Sequence, residues 1–242
     1  MEEAGMKSES EILKLFKAPH ELHETLAKRV ANDLSDTIKT KGYASLMLSG
    51  GSTPRPFLER LSQERLDWAK VRVGLADERW IDPVNDASNE KMVRAALLRD
   101  HAAEAAFVKI YRDGMGAEAA CGSIANEIQE KLMPFTVVVL GMGLDGHTAS
   151  LFPRHPKLAE ALDPAGNAVC ITLEPQSAPY VRISLTLSAL LSAKHCYVHI
   201  EGAEKLAVLR EALAGDDMQQ MPIRALLGCD NFAVQVYCSK EV

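Results

Sequence analysis

Asp145 and His147 stand two residues apart in Gly141-Met142-Gly143-Leu144-Asp145-Gly146-His147, directly behind the apolar run 137–140. A turn with three glycines can present a carboxylate and an imidazole to one substrate, and histidine is the side chain best suited to general base work near neutral pH. The same stretch satisfies G-x-G-x-x-G, the fingerprint of dinucleotide sites. Asp145 inside it would oppose a pyrophosphate. A dinucleotide site also needs an acidic residue about 20 positions on, at a second strand end. The candidates Glu160 and Asp163 lie in PKLAEALDPAG, which does not read as a strand end. A nicotinamide cofactor is therefore not expected.

Two further stretches carry chemistry. In Ser49-Gly50-Gly51-Ser52-Thr53-Pro54 the glycines admit close backbone approach, the hydroxyls donate, and the helix that follows presents N–H groups. That combination favours an anion, most often phosphate. The alternative is a tight turn in which Ser52 or Thr53 caps the helix. No G-x-x-x-x-G-K-[ST] is present, so a nucleoside triphosphate is not indicated. In Asp77-Glu78-Arg79-Trp80 the carboxylates could serve as acid and base, or only cap and pair with Arg79. Arg79 could stabilise an oxyanion. Lys205, opening a helix, and Arg182, opening a strand after Pro179, could reach an anion or lie solvated. The remaining histidines (His20, His23, His101, His155, His195 and His199) sit on polar helix faces, in loops or inside a strand pattern, and no role is read for them.

The elements that must position these residues alternate. Leu22, Leu26, Val30, Leu34 and Ile38 repeat every four residues, which predicts a helix ending near Gly42. Further helices are expected from Pro54 or Pro56 onward, through Met92 to Leu97, through Ile124, Ile128 and Leu132 up to Pro134, and over 204–213. Buried strands are expected at 44–48, 71–75, 137–140, 168–172, 182–187, 196–200 and 232–237, with 11–16 as an edge strand. Strand and helix alternating in this way give an α/β fold, a single domain over 1–242 with a mainly parallel, Rossmann-like sheet flanked by helices. Ligands of such sheets sit beyond the carboxyl ends of the strands. The three loops all follow expected strands, so they should share one pocket.

The chain has 242 residues, enough to bury about 70% of the surface of the open chain. Its net charge of −6 and pI near 5.7 argue against nucleic acid as a partner. The acidic start MEEAGMKSESE is no signal peptide, and no apolar run approaches the 18 residues of a membrane span. The five cysteines form no C-x-x-C and are odd in number, which suits reduced, buried thiols in a cytoplasmic protein and no structural metal. Nothing in the sequence sets an oligomeric state.

Five segments together resemble the 6-phosphogluconolactonase family, a branch of the group that includes glucosamine-6-phosphate deaminase. They are LSGGSTPRPFLERL, LADERWIDPVNDASNEKMVRAALL, VVVLGMGLDGHTASLFP, RISLTLSALLSAK and IEGAEKLAVL, in family order between about residues 46 and 209. The resemblance implies hydrolysis of 6-phospho-D-glucono-1,5-lactone to 6-phospho-D-gluconate in the oxidative pentose phosphate pathway, with no metal and no organic cofactor. It places the catalytic histidine on His147 and the active-site arginine on Arg79. It places the phosphate loop on Gly50, Gly51, Ser52 and Thr53, with Lys205 helping to hold phosphate. It extends to Asp77, Asp145, Asn89, Arg55 and Arg182, with Asp145 or Asp77 orienting the imidazole or the water. Where the family often has Asp before the strand that leads to GMG, this chain has Thr136, a change expected to affect local capping rather than chemistry. The alternative within the group is glucosamine-6-phosphate deamination with isomerisation. DERW, and LFP after DGHTAS, favour the lactonase.

Overall fold

The computed structural model describes residues 9–175 and 178–241. Residues 1–8, most of the acidic start, lie outside the described residues, as do 176, 177 and 242. A single turn, α1 (Glu9–Ile12), leads into the edge strand β1 (Leu13–Phe16). The long helix α2 (Pro19–Lys41) follows. It buries Leu22, Leu26, Val30, Leu34 and Ile38 along one face and ends at Gly42, whose φ of 81° frees its N–H to reach the Ile38 carbonyl at 2.8 Å. Next come β2 (Ala44–Leu48), α3 (Pro54–Leu61), β3 (Val71–Leu75), β4 (Asp77–Arg79), α4 (Asn89–Ala96), the two-residue β5 (Ala106–Phe107) and α5 (Ala117–Lys131). The second half runs β6 (Val137–Leu140), α6 (Leu158–Ala161), β7 (Cys170–Leu173), β8 (Arg182–Leu185), α7 (Leu187–Leu190), β9 (His195–Glu201), α8 (Ala203–Leu213), α9 (Ile223–Leu227) and β10 (Val234–Ser239).

Seven strands form one sheet in the order β1-β10-β9-β6-β2-β3-β5, every neighbouring pair parallel. The expected parallel sheet is present, with helices packed on it around one contiguous core. β2 and β6 sit at its centre and are buried at every residue, which is why they read as unbroken apolar runs. The chain builds outward from β2 through β3 to β5. It then returns with β6 on the other side of β2 and proceeds to β9 and β10. The order therefore reverses between β2 and β6, and a crevice opens where their connections diverge.

The sequence reading is corrected at three strands. β7 and β8 are not in the parallel sheet, and 77–79 is not a loop. Together they make a second, antiparallel sheet, β4-β8-β7. The switch happens at Ala76. Its N–H donates to Leu48 O of the main sheet, and its carbonyl accepts from Leu185 N of the small one, both at 2.8 Å. The strand expected over 182–187 stops at Leu185 because Thr186 caps α7, accepting from Ala189 N. Thr136 and Ser45 bond reciprocally, backbone N to hydroxyl, at 3.0 and 3.1 Å. They lie just before β6 and near the start of β2, the end of the sheet away from the crevice, which is the local capping role expected for Thr136. No described helix is long and apolar enough to cross a membrane.

Candidate active site

A cleft of roughly 360 Å³ lies in that crevice, walled by residues 49–54 and 141–143 and by Asp77, Arg79, Asn89, His147, Arg182 and Lys205. The loop after β6 is folded tightly upon itself. Gly143 N–H donates to His147 O at 2.8 Å, and Gly146 takes a φ of 78°. A side chain on Gly146 would strike Met221, whose segment holds the loop from behind through the Ile223 N–H to Gly146 O bond at 2.9 Å. α9 is itself anchored by the buried Arg224, which donates to the α8 carbonyls of Glu211 and Ala212. This buttress fixes the imidazole. His147 Nδ1 lies 2.5 Å from Asp145 Oδ1, and its ring leans on Phe152 with centroids 4.7 Å apart. With Nδ1 committed to the carboxylate, Nε2 is the nitrogen left to act as base. Burial acts to raise the Asp145 pKa. The hydrogen bond and charge of His147 outweigh it and hold the carboxyl below its ordinary value.

The three residues of β4 have three different duties. Asp77 is buried and accepts from Ser150 Oγ at 2.6 Å, so the imidazole's carboxylate partner is Asp145 and not Asp77. Glu78 turns to the start of α4, where it accepts from Arg79 N, Asn89 N, Ser88 Oγ and Glu90 N at 2.7–3.0 Å. It is a cap, one of the two readings the sequence allowed. Burial pushes its carboxyl pKa up against the pull of those four bonds. Arg79 donates through Nη1 to Ala87 O and stands opposite Arg182 in the β4–β8 register. Among the described residues, each of the two guanidiniums keeps a buried Nε without a partner. Burial, then the charge of Arg79, lowers the Arg182 pKa. Two adjacent cations with donors unspent call for an anion between or above them.

The loop after β2 starts with Ser49 N–H donating to Val139 O at 3.0 Å, across the switch point. Thr53 occupies the N-cap position of α3 without making a side-chain cap bond. Pro54 and Pro56 carry no N–H, so the donors free for an anion belong to the loop rather than to the first turn. Gly50 is required by Asn89. A Cβ there would fall 1.8 Å from Asn89 Oδ1, and only its absence lets Asn89 Nδ2 reach the Asp77 carbonyl at 2.8 Å. Lys205 donates to Met142 O from the first turn of α8. Burial lowers its pKa against the charges of Asp145 and Glu204.

The three stretches thus meet at one cleft, two of them as loops and the third as β4. Arg55 does not join them: it is exposed on α3 and forms no part of the cleft wall. Asp145 acts from behind His147 without lining the cleft. Two wall residues escaped the sequence reading, His199 and Glu201 of β9. Glu201 accepts from His199 Nε2 at 2.9 Å and from His23 Nε2 of α2 at 2.7 Å. Burial opposes these bonds, yet they bring the Glu201 carboxyl down to about 2. The three donor atoms, all within 4.8 Å, could hold a metal ion; as they stand, the carboxylate holds both imidazoles. HCYVHIE reads only as a strand, and its contact with α2 spans 178 residues of chain, so no local signal could have revealed it.

Residues 17–234 match the family model described as glucosamine-6-phosphate isomerases/6-phosphogluconolactonase. The 6-phosphogluconolactonase of Rhizobium meliloti (strain 1021) is 45% identical over 223 residues, 92% of this chain and 96% of its own. That of Pseudomonas putida is 48% identical over 206 residues, 85% of each chain. The crystal structure of a 6-phosphogluconolactonase from Shewanella baltica OS155 superposes with a TM-score of 0.93 at 41% identity, covering 97% of this chain and 99% of that one.

Proposed function

Because the chain belongs to the glucosamine-6-phosphate isomerase/6-phosphogluconolactonase family and is a lactone-hydrolysing enzyme, we propose that its cleft opens 6-phospho-D-glucono-1,5-lactone to 6-phospho-D-gluconate, with His147 as the general base. The product places the enzyme at the hydrolytic step of the oxidative pentose phosphate pathway. The observation that carries the mechanism is the Asp145–His147 contact of 2.5 Å at the mouth of a cleft that also holds Arg79, Arg182 and Lys205.

His147 Nε2 takes a proton from water as its oxygen bonds to C1. The C1 carbonyl becomes a tetrahedral oxyanion, stabilised by Arg79. The imidazolium, held by Asp145, returns the proton to the ring oxygen as the C1–O5 bond breaks. The phosphate rests against the backbone of Gly50 to Thr53 and on Lys205, with Arg182 as a second cation. Base catalysis typically supplies 10²–10⁴-fold and an oxyanion donor a similar factor. The phosphate contributes positioning remote from the reacting carbon.

The test generates the lactone in place from glucose-6-phosphate and follows its opening through coupled 6-phosphogluconate dehydrogenase, against the spontaneous rate. Wild type accelerates opening, and His147→Ala, still folded, loses roughly 10²–10⁴-fold of the rate above background. Acceleration that survives the substitution removes the base. No acceleration by folded wild type, together with ammonia release from glucosamine-6-phosphate, transfers the cleft to the deaminase reaction.

A further inference from the structure

Outside the cleft, Cys121 of α5 and Cys170 at the start of β7 lie with their sulfurs 3.4 Å apart, across 49 residues of chain. Each thiol also lies 3.5 Å from the other's backbone carbonyl oxygen, so the two residues face each other squarely. Cys170 is buried and Cys121 only half-buried. A solute therefore meets Cys121 before Cys170. A disulfide needs the sulfurs about 2.05 Å apart. Closing the gap asks roughly 1.4 Å, within the reach of side-chain torsions.

We propose that Cys121 and Cys170 are a redox pair, in which Cys121 meets peroxide and Cys170 resolves it into a reversible disulfide that ties α5 to the small sheet. The Cys121 thiolate attacks one oxygen of hydrogen peroxide. The S–O bond forms, the O–O bond breaks, and the leaving hydroxide is protonated to water. The Cys170 sulfur then attacks the Cys121 sulfenic acid. The S–S bond forms, the S–O bond breaks, and hydroxide leaves with the Cys170 proton as a second water. Two thiols have lost two electrons, and one peroxide has gained them.

The surroundings suit this division of roles. The hydrogen bond with Cys170 brings the Cys121 thiol down to about 7 against the opposing effect of burial. Glu118 raises it and Lys157 lowers it. Contact with Cys121, and burial besides, push the Cys170 thiol up and favour its protonated form. This favours the thiolate, the reactive form, at Cys121 over Cys170. Burial alone pushes Cys196 up to about 12, and Cys238 rises to about 11 chiefly for the same reason. Neither competes.

The experiment uses the full chain and hydrogen peroxide, with intact mass, thiol titration after unfolding, and peptide mapping. The proposal expects five titratable thiols before treatment and two fewer after it, a Cys121–Cys170 crosslinked peptide, and full recovery with dithiothreitol. Oxidation should also raise Tm, and reductant should bring it back. Cys121→Ser should take up peroxide slowly and show no shift. Cys170→Ser should accumulate a sulfenic acid at Cys121 that dimedone traps. Both variants should hydrolyse lactone as the reduced wild type does, since neither residue lines the cleft. Should a variant fail to fold, brief iodoacetamide treatment of native wild type serves instead: Cys121 is alkylated before Cys170, and the alkylated protein no longer gains Tm with peroxide. Oxidation that joins other cysteines, or equal labelling of Cys121 and Cys170, overturns the proposal.

Discussion

A Cβ on Gly143 would lie 2.1 Å from His147 Nδ1 and 2.4 Å from Asp145 Oδ1, closer than non-bonded atoms approach. Gly143→Ala must therefore displace the ring or its carboxylate, while the buried strand behind it is untouched. Misplacing a catalytic group by about 1 Å costs on the order of 10² in rate. The expected outcome is a kcat lower by about that factor with Tm little changed, measured by the coupled lactone assay beside a thermal melt; a wild-type kcat would mean that the imidazole position is immaterial. At this scale the sequence was informative where chemistry and backbone geometry coincide. Asp145 and His147 are legible because glycines bracket them. Arg79, Arg182 and Lys205 read only as cations that could reach an anion, and it took the resemblance to give two of them roles. Arg55, to which the resemblance extended, lies off the cleft wall. With Phe57, Leu58 and Leu61 facing inward, α3 turns Arg55 to solvent.

At the scale of elements, one side chain connects the cleft to a helix. Glu78 satisfies the N–H groups of Asn89 and Glu90 at the start of α4, and that of Arg79 in β4. Glu78→Ala leaves these buried donors without partners. It should destabilise the protein by about 2–4 kcal/mol, read as a lower urea midpoint at unchanged m-value. KM should rise with it, because Asn89 and Arg79 border the cleft. Unchanged stability would show that the carboxylate does not act as the cap. The long or fully buried elements were legible: α2 by its four-residue recurrence, β2 and β6 by unbroken apolar runs. β4, β5, α6 and α7 have two to four residues each, too few for a period to repeat. β7 and β8 were visible as strands, but their antiparallel partnership depends on Ala76 changing sheets, which no local pattern encodes.

For the whole molecule, the cleft draws its walls from both halves of the sheet, so an anionic ligand should stiffen all of it. Saturating 6-phosphogluconate at about 100 times its Kd would stabilise the fold by about 2.7 kcal/mol. For a chain of this size that is a Tm rise of about 5–10 °C. Lys205→Met should lose most of the rise while keeping the unliganded Tm within a few degrees; a full rise in that variant would move the phosphate elsewhere. The alternation of strand and helix was enough to read one α/β body and one shared pocket, since chain that leaves parallel strands at their carboxyl ends gathers at one edge of the sheet.

The pairing of β1 has a consequence in time. Among the described residues its one neighbour in the sheet is β10, Leu13 lying against Val236. β1 thus waits for a mate that is made much later. At 5–20 residues per second that interval is on the order of 10–40 s. Throughout it the nascent chain carries an edge with no mate, and Lys14, exposed between Leu13 and Leu15, keeps that edge charged while it waits.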